Sequence, residues 1–302
     1  MSIVLGENRW GKAEVRLVRV TKDSTDPRVR HLQDLTVSTG LYGDTEAVHL
    51  YGDNSVVLTT DTQKNTVYAF AAQAPVGEPE EFGLRLSAHF VESQPAVHRA
   101  QVRLEQLGWT RLTVAGKPAP HSFVRDGAER RLATVTREGR HAWVTAGLGD
   151  LVVLNATGSE FHGFPKDEYT SLPETTDRIL ATAVTAQWRY GETDPVALAE
   201  LDFAAVHADV RTRLVETFAA VHSLSLQNTL YRMGEAVLLA HAEVAEVRLS
   251  MPNRHHFLVD LRPFGLTNDD EVYVAADRPY GLIEGAVTRD DAPEPGLAWL
   301  SF

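Results

Sequence analysis

The sequence predicts an α+β protein made of two copies of one unit, each an antiparallel sheet with helices on one face. Three observations carry this. Several stretches alternate apolar with polar residues, the pattern of strands with one buried face. Helix-period apolar stripes interrupt them: Phe82–Leu86–Phe90 in the first half, then Phe203, Val206, Val210, Leu214, Phe218 and Val221, then Leu226, Leu230, Met233 and Val237. The order strands, helix, strands recurs in the second half, so duplicated sheets with one helical layer are the simplest packing.

Taken in order, Ala13 to Val20 alternates and reads as a half-buried strand, opened by Gly11-Lys12. Thr21 to His31 is a polar turn, and Leu32 to Gly40 is the returning strand. Ala47 to Tyr51 is a further apolar segment. The turn signal Gly52-Asp53-Asn54 leads into Ser55 to Leu58, which is expected to be a strand because β-branched residues suit a pleated surface. A polar cluster follows, Thr59 to Thr66, before a second apolar run at Val67 to Phe70. Pro79, followed by Glu80 and Glu81, suits a first helical turn, so a helix is expected over 79–93.

Ala100 to Glu105 and Gly108 to Val114 continue the sheet. Gly116 to His121, with two prolines, is expected to be a turn or linker, and the units are placed at 1–135 and 136–302. Arg131 to Thr136, Ala142 to Ala146 and Arg178 to Trp188 read as strands. Gly149 to Thr157 echoes Gly52 to Thr60 as turn, apolar run and threonine, which supports the duplication. Val247 to Leu261 is a strand pair, or one strand with a polar interruption, and Val272 to Glu284 a short extended finish.

Composition excludes several functions. Net charge is -12, so a basic nucleic-acid surface is not expected. The absence of cysteine removes disulfides, thiolate nucleophiles and cysteine metal sites, and fits a reducing cytoplasm. No apolar run approaches the ~18 residues of a membrane span, the N-terminal residues do not read as a signal peptide, and Trp299 to Phe302 is not a peroxisomal signal. A cytoplasmic protein is the expectation. No phosphate-binding glycine loop, nucleophile elbow or histidine–carboxylate metal spacing is present, so no metal is expected.

What remains is a set of polar and aromatic residues in unusual settings. Lys12 stands at a strand start, Thr60 and Asp61 in the polar cluster, and Asn253 and His255 interrupt an apolar strand. Arg178 begins a strand, Gln227 opens an amphipathic helix after Ser225, and Phe161 sits in a flexible frame, Gly158 to Gly163. Singly, each has an ordinary explanation: a solvated lysine, turn formers, a core phenylalanine, or an arginine paired with Asp177 or Glu174.

Together they carry a resemblance. Thr60-Asp61 within TTDTQKNTVY, His89-Phe90, Ser159 to Phe164, Asp167 to Thr170, Asp177 to Leu180, Gln227 to Tyr231 and Pro252 to His255 resemble the urate oxidase (uricase) family nearly end to end. The strings D-x-x-K-N-T-x-Y and D-E-Y-T-x-L-x-E-T-x-D-R-I-L are the specific part. The resemblance implies two tunnelling-fold (T-fold) units per chain, with four chains forming a hollow barrel as a homotetramer. It implies active sites at subunit interfaces and no metal or organic cofactor. It also implies oxidation of urate by dioxygen and water to 5-hydroxyisourate and hydrogen peroxide.

For the residues, the resemblance implies a Lys12–Thr60 base system with His255 relaying the proton; a lysine acts as a base only when neutral. Arg178 and Gln227 are expected to grip the urate edge, and Phe161 to stack on its ring. Backbone N–H groups of Asp61 and Leu226 are expected to hold other edges, and Asn253 with Thr60 to hold dioxygen, then water. Leu226 replaces a valine of fungal members and His162 a tryptophan. Two other readings stay open: a zinc-dependent enzyme of the same fold acting on GTP or pterins, and a non-catalytic purine-binding oligomer.

Overall fold

A computed structural model of the chain describes residues 2–301. Its elements come in one order twice. Strands β1 (Trp10–Lys22) and β2 (Arg30–Gly43) lead through a short helix α1 (Glu46–Tyr51) to helices α2 (Thr60–Gln73) and α3 (Pro79–Ser93), then to strands β3 (Val97–Val114) and β4 (Lys117–Glu138). The second pass repeats this with β5 (His141–Asn155), β6 (Leu180–Tyr190), short α4 (Pro195–Leu198), α5 (Phe203–Ala220), α6 (Leu226–Ala240), β7 (Val244–Leu258) and β8 (Tyr273–Thr288). The fold is α+β with two tandem sheet-and-helix repeats, as the sequence predicts. Contacts divide the chain into one unit of Met1–Gly147, Trp188–His207 and Pro293–Phe302, and another of Leu148–Gln187 and Ala208–Ala292.

In the first unit β1 to β4 pair antiparallel in chain order, with Val15 opposite Val37, Val37 opposite Leu104, and Val102 opposite Val135. These side chains face one core that α3 covers with Phe82, Leu86 and Phe90, all fully buried. The stripe at spacing four predicts this helix to the residue, because Pro79 opens it and a Glu78–Glu81 capping box closes its first turn. A Cβ at Gly83 would stand 2.6 Å from Val135 Cγ2, so glycine sets how closely α3 lies on the sheet. At the same helix start Arg131 reaches both Glu78 and the buried Glu80. Burial pushes the Glu80 carboxyl up to about 7 against the pull of that guanidinium.

The second unit follows the same plan where β7 and β8 pair antiparallel under α6. Leu226, Leu230, Met233 and Val237 are the buried stripe of that helix. Gly234 is its counterpart to Gly83: a Cβ there would stand 2.6 Å from Val287 Cγ2.

Several sequence expectations are corrected. Ser55 to Leu58 is a turn rather than a strand, and the polar cluster after it opens α2. The helix was hidden because its buried stripe, Gln63–Val67–Ala71, begins with a glutamine. The apolar segment Ala47 to Tyr51 is α1. Gly116 to His121 is not a linker: Ala115 and Gly116, both at positive φ, make a tight turn from β3 into β4, and the prolines sit at the strand start. Gly149 to Asn155 runs inside β5, so its likeness to Gly52 to Thr60 is not the internal repeat; the repeat lies in the order of elements. Val247 to Leu258 belongs to one strand with a register shift between Asn253 and His255, and its partner β8 is long rather than a short finish.

Candidate active site

The second unit holds a cleft of about 490 Å³, lined among others by Phe161, Arg178, Asn253, His255 and Tyr273. Phe161 lies on the connection from β5 to β6. Its backbone exchanges hydrogen bonds with Thr175, Phe161 N–H donating to Thr175 O at 2.8 Å and Phe161 O accepting from Thr175 N–H at 3.0 Å. Its ring stacks on Phe164 at 5.0 Å, which with the main-chain bonds to Thr175 fixes the position of the ring. The Arg178 guanidinium stands over the Phe161 ring, 5.2 Å from its centroid.

The two carboxylates nearest in sequence do not neutralise Arg178. Asp177 accepts from the Thr157 hydroxyl at 2.7 Å and the Gly158 N–H at 2.9 Å. Glu174 pairs with Lys166 at 3.2 Å and accepts from the Gly163 N–H. Arg178 Nε is buried without a hydrogen-bond partner among the described residues. Burial pulls the guanidinium below its ordinary value, yet it stays charged at any working pH. A half-buried guanidinium with an unpartnered Nε, standing over an aromatic ring, suits a planar anion.

His255 is half-buried in the same cleft, with its ring stacked on Phe257 at 5.8 Å. Burial first, then the positive charges of Arg178 and His256, hold its imidazole below the ordinary histidine value. It is therefore neutral at neutral pH, with one nitrogen able to accept a proton and the other to donate. Asn253 is half-buried on β7, where the strand pairing slips before His255.

Leu226 and Gln227 do not line this cleft. They are the first two residues of α6, capped by the Ser225 hydroxyl, which accepts from Asn228 N–H at 3.1 Å. Being in the first turn, their own N–H groups have no helical acceptor. The Leu226 side chain is buried, while Gln227 is exposed. A parallel bridge, Ser159 to Ser223, holds the turn before α6 beside the Phe161 segment.

The first unit holds Lys12, Thr60 and Asp61. Gly11 pairs so closely with β2 that a Cβ would meet Thr39 O at 1.9 Å, and β1 bulges directly after Lys12. The Lys12 N–H donates to Thr39 Oγ1 at 3.3 Å, and that hydroxyl donates to the buried Gln63 Oε1 at 2.7 Å. Trp10 Nε1 donates to Leu58 O at 2.8 Å, which pins the approach to α2 on β1. Lys12 is half-buried, and its amine has no hydrogen bond or ion pair among the described residues. Thr60 and Asp61, both exposed, are the first residues of α2, whose cap is the Thr59 hydroxyl accepting from Thr62 N–H at 3.1 Å.

The D-x-x-K-N-T-x-Y string now has a physical meaning. Asp61 accepts from Lys64 at 2.5 Å and Asn65 at 3.0 Å, Thr66 bonds back to Thr62 O, and the Tyr68 hydroxyl reaches Arg16 O on β1. These contacts are helix-turn spacings that fix the start of α2. The bond from Lys64, with a smaller contribution from Lys12, holds the Asp61 carboxyl below its usual range. Sequence reasoning missed Thr39 and Gln63; the signal for Gln63 was its place at the head of the stripe with Val67 and Ala71. Among the described residues no group of three or more histidines and carboxylates is arranged to hold a metal.

A family model described as uricase matches residues 8–136 and 144–284. The uricase of Arthrobacter globiformis is 49% identical over 298 residues, covering 98% of this chain and 94% of that protein. The uricase of Aspergillus flavus is 40% identical over 289 residues, covering 93% of this chain and 95% of that protein. The crystal structure of the Arthrobacter globiformis uricase superposes with a TM-score of 0.90, covering 97% of this chain and 98% of that one. A uricase structure from Bacillus fastidious, 22% identical with a TM-score of 0.79, shares the fold over 94% of each chain. By family match, identity along nearly the whole chain and fold, the chain belongs to the uricase (urate oxidase) family.

Proposed function

We propose that this chain oxidises urate with dioxygen and water to 5-hydroxyisourate and hydrogen peroxide, using no metal or organic cofactor. The observation that carries the reading is the desolvated Arg178, unpaired and poised over Phe161. Urate is planar, anionic and electron-rich. Phe161 stacks on it, Arg178 and Gln227 grip its ring edge, and the N–H groups of Asp61 and Leu226 hold other polar edges.

Lys12, acting through Thr60, takes a proton from the bound urate anion; His255 relays it. The resulting dianion gives up two electrons. Dioxygen takes those electrons and two protons and leaves as hydrogen peroxide. Water then adds its oxygen to the oxidised ring carbon, so the atoms of urate, dioxygen and water all appear in the two products. Asn253 and Thr60 hold dioxygen and then water above the ring. The substrate is the electron donor, so no redox group is needed on the protein.

In this proposal the duplicated units are 1–135 and 136–302, and Lys12, Thr60 and Asp61 of one copy complete the cleft of another in a homotetramer. Exposed apolar side chains on the β7–β8 pair, Phe257, Leu258, Val274, Tyr280 and Leu282, support a covered surface there. The absence of cysteine supports a cytoplasmic location. The test is to strip the protein of metal, add urate in air, and follow urate absorbance and peroxide. Urate loss with equimolar peroxide is expected. Binding without turnover would leave a purine-binding protein, and activity on GTP or pterins restored by zinc would make it a different enzyme.

A further inference from the structure

We propose that Glu160 is a positioning residue for the substrate, tying the Phe161 shelf to the turn that launches α6. This rests on the reading of Phe161 and Gln227 as urate contacts. The two carboxylate oxygens of Glu160 are divided between two histidines. Oε2 meets His162 Nε2 at 2.9 Å, and Oε1 meets His222 Nε2 at 3.1 Å. Its backbone N–H donates to Ser223 O at 2.8 Å, while Ser223 N–H returns to Gly158 O at 3.0 Å. One residue is thus bonded through its main chain and one carboxylate oxygen to 222–223, three to five residues before Leu226 and Gln227. Its other oxygen holds His162, the neighbour of Phe161.

The Glu160 side chain is 16% exposed whereas both imidazoles are more than half exposed, so the carboxylate is the least exposed member of the cluster. Both bonds hold its carboxyl below the usual range, that from His222 most. Nothing in the proposed chemistry uses Glu160, His162 or His222, which leaves spacing as their contribution. Holding the stacking ring and the helix start at one separation is what a rigid planar substrate gripped from both requires, since small misplacements cost large factors.

The test compares Glu160→Ala with Glu160→Gln, reading KM and kcat for urate together with amide hydrogen exchange over 158–163 and 222–227. Glu160→Ala is expected to raise KM about 10-fold with a smaller fall in kcat, and to speed exchange at Phe161 and Ser223. Glu160→Gln can accept from one histidine and donate to the other, so it is expected to return KM to within about 3-fold of the parent. An alanine variant that melts earlier but keeps KM and kcat overturns the proposal, as does unchanged exchange at both amides. If the parent protein consumes no urate, the proposed function falls, and the exchange data alone decide whether the tie exists.

Discussion

Lys12→Met is expected to lower kcat for urate by about 10²–10⁴-fold, the range over which positioned general bases contribute. Methionine keeps an unbranched apolar stem of similar reach and removes only the amine. The fold should survive, because the main-chain bond to Thr39 and the close pairing of Gly11 do not involve that amine. No carboxylate pairs with the amine among the described residues, so its loss leaves no buried partner unsatisfied. Steady-state urate oxidation and a thermal melt check this together. A well-folded variant with near-parental turnover would sink the base assignment.

Arg178→Gln is the second large effect. Removing one partner of a buried charged pair costs about 2–5 kcal/mol, which is about 30- to 4,000-fold in kcat/KM. Here the penalty falls on the urate complex, since the free protein has no carboxylate on Arg178 to leave stranded. The same substitution has a second readout. Arg178 is one of the positive neighbours holding His255 down, after burial. Without it the imidazolium is less disfavoured, so His255 should titrate at higher pH in the variant than in the parent. Ring-proton NMR measures this without substrate. Unchanged titration would contradict the placement of His255 beside Arg178.

The sequence made some of this legible and hid the rest for physical reasons. Helix α3 was readable to its ends because proline, acidic first turn and an i, i+4 stripe all agree. Helix α2 was not, because its stripe starts with a glutamine whose burial depends on Thr39, far away in sequence. The start of strand β4 reads as a linker in the sequence because prolines at a strand's first positions look like turn signals. Phe161, Arg178, Asn253 and His255, candidates on sequence grounds, share a cleft. What no spacing could reveal is that Asp177 and Glu174 are occupied elsewhere, which is what leaves Arg178 free for an anion.

The claim that one urate site takes Lys12 from one copy and Arg178 from another is tested most directly by mixing. Lys12→Met and Arg178→Gln chains, each strongly impaired alone, are refolded or expressed together and assayed for urate oxidation. A site shared between copies draws each half at random, so about a quarter of sites, one half times one half, regain both residues and activity returns to about that fraction of the parent. Mixed oligomers that form but stay inactive would contradict the account, because every site would then carry both halves from one chain.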